Sequence, residues 1–185
     1  MQITLLNGSP GNAYPEFDAY LDQLENVLQD DAHSTQILTL RNLDARFCTG
    51  CWSCWVKTPG QCVFEDDSHI VCSAVINSDF VLFASPVIMG YISAELKKYM
   101  DKLIPLIHPY ITIDQGEAHH RHRYGLNDYP VGGLLLEKTQ YTDDEDIEII
   151  SAIHGRTMLN MKSRNAFTLL TDQPVVEVAN AIYNH

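Results

Sequence analysis

Along this chain, apolar residues fall into short runs separated by polar, Gly- or Pro-containing turns, and the runs alternate between strand-like and helix-like spacing. Residues 3–6 form a short apolar run that predicts a buried strand, ending at Asn7-Gly8-Ser9-Pro10-Gly11-Asn12. From Pro15 to about Leu28 the positions Phe17, Tyr20, Leu21, Leu24 and Leu28 recur at helical spacing, and Pro15 suits a first helical turn. Residues 34–40 predict a second strand. Residues 68–76 predict a helix, announced by Asp66-Asp67-Ser68. After Asp79 comes FVLFAS, a continuous apolar run of the kind found in a central parallel strand buried on both faces. It stops at Ser85-Pro86-Val87-Ile88-Met89-Gly90. Residues 93–104 then read as a helix with Leu96, Tyr99, Met100 and Leu103 inward. Pro105 and Pro109 break the pattern, and residues 105–130 predict an irregular insertion rich in His and Arg. Residues 131–137 form the next strand. Thr142-Asp143-Asp144-Glu145 opens a helix running to about Met161, with a capping-box-like start. A last strand at 166–170 and an amphipathic helix at 174–183 close the chain.

Five strands alternating with five helices predict an α/β fold in one domain, 1–185, with a parallel sheet covered on both faces and joined by right-handed crossovers. In such sheets ligands bind beyond the carboxyl ends of the strands. With the strand order 2-1-3-4-5, the turn at Ser9, the segment 47–67 and the turn at Pro86 all lie on one rim.

Charge narrows the partners. Twelve basic against 24 acidic residues give a formal net charge of −12, which argues against nucleic acid or an anionic membrane as a general partner. The first residues show no basic segment followed by an apolar core, and no apolar run approaches the roughly 18 residues that span a bilayer. A cytoplasmic location is the expectation.

The densest chemistry lies in FCTGCWSCWVKTPGQCVFEDD, residues 47–67, which carries Cys48, Cys51, Cys54 and Cys62 within fifteen positions. In a reducing compartment such clusters bind metal or do redox work more often than they form structural disulfides, and the odd total of five cysteines fits a disulfide framework poorly. A C-x2-C-x2-C run supplies three converging thiolates and a fourth follows after seven residues, which suits an iron–sulfur cluster. Zinc sites more often show two separated C-x2-C pairs. Zinc, free thiols and a redox disulfide stay open beside the cluster. Trp52 and Trp55 are placed to shield a cluster or to cover an ordinary apolar face. Cys72 reads as a small core residue.

Two further stretches invite a ligand. The small-residue turn at 8–12, between a strand and a helix, has the layout that offers backbone N–H groups to an anion, although any strand-to-helix turn can carry Gly, Ser and Pro. His119-His120-Arg121-His122-Arg123-Tyr124 is a dense basic stretch in an acidic protein. It reads as an anion-recognition site, as a contact to a ligand held by a neighbouring subunit, as a three-histidine metal site, or as a surface or interface loop that balances acidic charge.

Taken together, NGSP after the first strand, CTGCWSC…PGQCVFEDD, SDFVLFASPV and SAELKKYMDKLIP resemble the NAD(P)H-dependent FMN reductases and iron–sulfur flavoproteins, over roughly the first 110 residues and by layout beyond them. The resemblance implies a flavodoxin-like three-layer sandwich and an FMN-dependent NAD(P)H oxidoreductase or electron-transfer flavoprotein. It implies that Ser9, Pro10, Gly11 and Asn12 hold the FMN phosphate, and that Pro86, Val87, Ile88, Met89 and Gly90 line the flavin ring. It implies that Cys48, Cys51, Cys54 and Cys62 hold a 4Fe–4S cluster, with no protein nucleophile or general base. NAD(P)H would be the electron donor, a small molecule or a protein the acceptor, and the assembly a homodimer or homotetramer. Two positions depart from the family pattern. Gly11 stands where a basic residue is usual and Tyr14-Pro15-Glu16 where hydroxyl residues are usual, so Glu16 and Asp18 would repel a phosphate. Ile88 stands where an aromatic often lies against the ring. The rival expectation is a cofactor-free binding or scaffold protein of the same fold; a zinc-stapled regulatory domain is a third.

Overall fold

A computed structural model describes residues 1–30, 33–114, 116–125 and 128–185. Strands β1 (Gln2–Asn7), β2 (Ser34–Thr39), β3 (Phe80–Ile88), β7 (Val131–Glu137) and β8 (Asn165–Leu170) form a parallel sheet in the order β2-β1-β3-β7-β8. Numbered among themselves, these five strands run 2-1-3-4-5, the flavodoxin-like order. A two-residue strand, β4 (Tyr91–Ile92), turns back antiparallel on β3.

The side-chain period of two divides each strand between two cores. On one face Ile3, Leu5, Phe80, Leu82, Ala84 and Leu135 meet helices α1 (Pro15–Asp30) and α6 (Val175–Tyr183). On the other, Leu6, Val81, Phe83, Leu134 and Leu136 meet α3 (Ser68–Ile76), α4 (Ala94–Asp101) and α5 (Asp144–Asn160). Phe17, Leu21, Leu24 and Leu28 of α1 are fully buried, each such side chain contributing about 1.5–3 kcal/mol. Every residue of β3 from Phe80 to Val87 is buried, which is why its sequence is continuously apolar. Helix α5 begins with a capping box in which the Asp143 carboxylate accepts from the Asp146 N–H at 2.9 Å and Asp146 accepts in return.

One expectation is corrected. Much of the segment 105–130 is not irregular: β5 (Ile107–Asp114) and β6 (Glu117–His122) pair antiparallel as a separate two-stranded sheet. Pro109 lies where the register shifts between Ile107 and Ile111, a place where no ladder N–H is needed. In β6 the buried position is a histidine, His119, so the alternation is invisible to an apolar count. Gln115, Leu126 and Asn127 of that segment lie outside the described residues. A four-residue helix, α2 (Ser53–Val56), also escapes the sequence pattern. Among the described residues no helix is long and apolar enough to cross a membrane.

The middle of the sheet is tight at Gly133. A Cβ there would lie 2.7 Å from the Phe167 ring and 2.8 Å from the Phe80 ring. Gly133→Ala is therefore expected to destabilise the fold by about 1–3 kcal/mol, read as a lower urea midpoint at unchanged slope. Gly155→Ala, on α5 with open space at its Cβ, is expected to leave the midpoint unchanged or raise it.

Candidate functional site

Because β1, β2 and β3 run parallel, the three segments that leave their carboxyl ends start from one edge of the sheet. The first is the turn after β1. The Gly8 N–H donates to the Ala84 carbonyl of β3 at 2.8 Å, and the Ser93 hydroxyl donates to the Gly8 carbonyl. A Cβ on Gly8 would stand 2.6 Å from the Leu96 Cβ, so only glycine lets the turn lie this close to β3 and α4. Ser9 is fully buried, and its N–H donates to the Asn7 side-chain oxygen at 2.9 Å.

The polar groups of this turn converge on a carboxylate. Asn7 Nδ2 donates to Asp18 Oδ1 at 2.7 Å and the Ser9 hydroxyl to the same oxygen at 2.9 Å. Arg41, in the 3₁₀ turn Leu40–Asn42 after β2, grips Asp18 with both terminal nitrogens, at 3.1 and 2.9 Å, and also donates to Ser9 Oγ. Burial opposes the Asp18 charge, but the hydrogen bonds from Asn7, Arg41 and Ser9 outweigh it and hold the carboxyl below the ordinary carboxylate range. Glu16 stays exposed. Glu137, at the end of β7, is pushed up by burial and by the nearby charges of Glu16 and Asp18.

The second segment is the end of β3, which runs on to Ile88 instead of stopping at Ser85, and the turn beyond it. Pro86 and Val87 are buried, Ile88 is half-buried, and Met89 projects fully into solvent. Val87 pairs with Ile92 and Ile88 with Tyr91, so Met89-Gly90 is a two-residue hairpin turn, with φ of 52° and 75°. The Ser93 N–H donates to Ser85 Oγ at 2.8 Å, tying the base of this hairpin to the start of α4.

The third segment carries the cysteines. Its two ends are clamped together: the Asp67 N–H donates to the Asp44 carbonyl at 2.9 Å and the Asp44 N–H to the Asp67 carboxylate at 2.8 Å. Gly50 and Trp52, either side of Cys51, are both left-handed, at φ 64° and 61°. For a bulky residue such as Trp52 this conformation stores strain of about 1–3 kcal/mol. Trp55 anchors the loop from below, its indole N–H shared between the carbonyls of Ile107 and Ile104 at 3.0 and 3.3 Å. Cys48, Cys51, Cys54 and Cys62 line one cavity of about 270 Å³, walled by Trp52, Trp55 and Phe64 and floored by Lys102, Ile104 and Pro105. Cys54 is buried, Cys62 half-buried, and Cys48 and Cys51 exposed. Burial pushes the Cys54 thiol up, and the neighbouring charges of Cys62, Cys48 and Cys51 push it further. Hydrogen bonding to Ser53 pulls the Cys51 thiol down. As the side chains stand, no three His, Cys, Asp or Glu among the described residues converge closely enough to hold a metal ion.

At the floor of this cavity is a buried ion pair. Lys102 Nζ donates to Asp66 Oδ2 at 2.9 Å and to Cys62 Sγ at 3.4 Å, with the two charged side chains 3% and 6% exposed. Burial disfavours the Asp66 charge, yet hydrogen bonds from Ser68, Lys102 and the Arg46 N–H hold its pKa at about 2. Cys72 lies behind, its thiol donating to the Lys102 carbonyl at 3.3 Å, and burial with the nearby Cys62 charge pushes its pKa up to about 12.

A family model for NADPH-dependent FMN reductases matches residues 1–144. The chain belongs to that family. Two curated relatives are an iron–sulfur flavoprotein of Archaeoglobus fulgidus, 35% identical over 111 residues (58% of this chain and 48% of the relative), and one of Methanocaldococcus jannaschii, 31% identical over 108 residues (57% and 53%). The match thus spans about half the length of these curated relatives. Among solved structures, an NAD(P)H:quinone oxidoreductase from Methanothermobacter marburgensis superimposes with a TM-score of 0.67 at 15% identity, covering 100% of this chain and 98% of that one. An FMN-dependent NADH-azoreductase from Bacillus anthracis, in complex with FMN, gives 0.56 at 13% identity, covering 100% and 95%. At such identities the likeness shows the shared flavodoxin-like fold.

Within the FMN reductase frame, the structure brings the Ser9 turn and the Pro86 turn side by side, joined through Gly8, Ala84 and Ser93. It brings the four cysteines to a cavity of their own, which residues 9–12 and 86–90 do not line. The His/Arg stretch is largely engaged within the hairpin: His120 Nδ1 lies 2.8 Å from the His108 carbonyl, and Arg123 donates to the carbonyls of Pro105 and Ile107. Sequence reasoning missed Arg41 and Lys102. Each is a lone cation that becomes meaningful only beside its carboxylate, 23 and 36 positions away. Asp66 reads as a helix start, and its carboxylate does accept from the Ser68 N–H at 3.1 Å, but it also holds Lys102.

Since the folded pKa of Asp66 lies below the ordinary 3.8, the stability it contributes is present above about pH 4 and is lost as pH falls towards 2. Asp66→Asn is expected to cost about 3 kcal/mol at pH 7, because Lys102 is left buried without its countercharge. In denaturant titrations the gap between wild type and variant should narrow between pH 4 and pH 2.

Proposed function

We propose that this chain is an FMN-dependent NAD(P)H oxidoreductase or electron-transfer flavoprotein that carries a 4Fe–4S cluster on its cysteine loop. The observation that carries the reading is the joining of two turns at adjacent strand ends. The anion-type donors at Ser9 and the hairpin at Pro86 are linked by the 2.8 Å Gly8-to-Ala84 bond, at the point where strand order reverses between β1 and β3. Pro86, Val87, Ile88, Met89 and Gly90 would pack on the flavin ring, and Ser9, Pro10, Gly11 and Asn12 would face its phosphate. When bound, FMN supplies hydride acceptance from NAD(P)H and release of electrons singly or in pairs. The residues of the chain bind and orient; no side chain is asked to act as nucleophile or general base.

The donor set of the second cavity suits a cluster. Four thiols are soft ligands, Trp55 and Phe64 wall the cavity, and the Lys102 ammonium beside Cys62 balances the charge of thiolates. Cys48, Cys51, Cys54 and Cys62 would hold it, and it would supply one-electron transfer. The electrons would leave to a small-molecule or protein acceptor. The exposed Tyr110, Ile111 and Ile113 of β5 present apolar surface that a second copy of the chain would cover in a homodimer or homotetramer.

A second reading is favoured by one observation. The donors of the Ser9 turn already hold an internal carboxylate, Asp18, as they would in a cofactor-free binding or scaffold protein.

Anaerobically purified protein reconstituted with iron, sulfide and FMN is expected to show visible flavin absorption and about four iron and four sulfide per chain. Cys54→Ser should lose the iron and sulfide and keep the flavin, while Cys72→Ser should keep both. A colourless protein that takes up neither cofactor would establish the scaffold reading instead.

A further inference from the structure

The turn after β1 is built for an anion, and the anion it holds belongs to the chain. Four donor contacts, from Asn7 Nδ2, Ser9 Oγ and both terminal nitrogens of Arg41, end on the two oxygens of Asp18. A carboxylate gripped by a guanidinium fork and a hydroxyl is the arrangement that also grips a phosphate. Asp18 projects from the first turn of the helix that begins at this site, where the positive end of the helix would otherwise attract a ligand's charge. No other cation hydrogen-bonds this cluster among the described residues, and the Asp18 charge is near enough to Glu137 to help push that carboxyl up.

We propose that Asp18 is an internal competitor for the flavin phosphate, so that the chain recognises the ring and ribityl part of a flavin while gaining almost nothing from the phosphate. This rests on the flavin reading given above. For a phosphate to be bound, Arg41, Ser9 and Asn7 must leave Asp18, which would then stand unpaired beside a dianion and near Glu137. At an effective dielectric near 20, one unit charge at about 5 Å from another alters binding by two orders of magnitude or more. Asp18 therefore sets both the affinity and the specificity of the site: FMN and riboflavin, which differ only in the phosphate, become nearly equivalent ligands.

The test is a titration of the full chain with FMN and with riboflavin, followed by flavin fluorescence. Wild type is expected to bind the two within about threefold of each other. Asp18→Asn and Asp18→Ser are each expected to tighten FMN by about 100-fold and to move riboflavin by less than about threefold. Adding Arg41→Met to Asp18→Asn should abolish most of that gain. Should one variant fail to fold, the wild-type ratio of the two affinities still decides. A wild type that binds FMN 100-fold or more tighter than riboflavin overturns the proposal and leaves the flavin reading standing. So does an Asp18→Asn that shifts both ligands alike. If neither wild type nor the Asp18 variants bind either flavin, the flavin reading falls, and the proposal with it.

Discussion

Strand β3 is buried on both faces from Phe80 to Val87, and much else follows from that constraint. Its backbone is paired along most of its length by parallel neighbours, β1 on one side and β7 on the other, with β4 antiparallel at its end. Its side chains can be covered only by helices on both faces, and the connections that bring those helices into place run over the sheet and return. The carboxyl ends of β1, β2 and β3 are therefore collected on one edge, and their loops with them. What the molecule can do chemically is decided along that edge, by how closely the loops approach one another. Gly8 against Leu96 and Ala84 is the closest such approach among the glycines of that rim.

Two cation–carboxylate pairs divide the rim, and in an acidic protein each cation is valuable. Arg41 is taken by Asp18 and Lys102 by Asp66. The two pairs have different consequences. Lys102 is almost fully buried and still has a sulfur, Cys62, within reach, so its pairing with Asp66 leaves the cavity of thiols with a fixed positive charge at its floor. The Arg41 pair is about one-fifth exposed and lies in the turn proposed above to face a flavin phosphate. The first pair leaves a sulfur in contact with its cation, whereas the second ties up every donor that its turn directs at the carboxylate.

The cysteine loop shows how a short motif is shaped by its surroundings. Spacing alone allows C-x2-C-x2-C to be a turn, but its shape comes from left-handed Gly50 and Trp52, from the Asp44–Asp67 clamp and from the Trp55 indole held by the carbonyls of Ile104 and Ile107. The hairpin of β5 and β6 thus has a role in the loop's position, and the Trp55 ring also lies against that of His120, tilted by 46° with centroids 5.0 Å apart. A stretch rich in His and Arg that looks like a ligand surface in the sequence is here in part a buttress for the thiols.

The sequence by itself determined the layers and their order of appearance, because the difference between a period of two and a period of 3.6 is local and survives in the residue string. It also determined the boundaries of α3 and β7 and the identity of the three loops on the rim. It showed Asp18 as a negative charge near the first turn, and it could not show which way that charge faces. Tertiary structure decided that Asp18 turns inward onto Asn7, Ser9 and Arg41, that Lys102 lies under Cys62, and that Pro109 sits in a strand at a register shift. The physical reason is common to all three. A charge or a proline in isolation has a preference for water or for a turn, and only a partner brought from a distant part of the chain, or a neighbouring strand that asks for no hydrogen bond, reverses that preference.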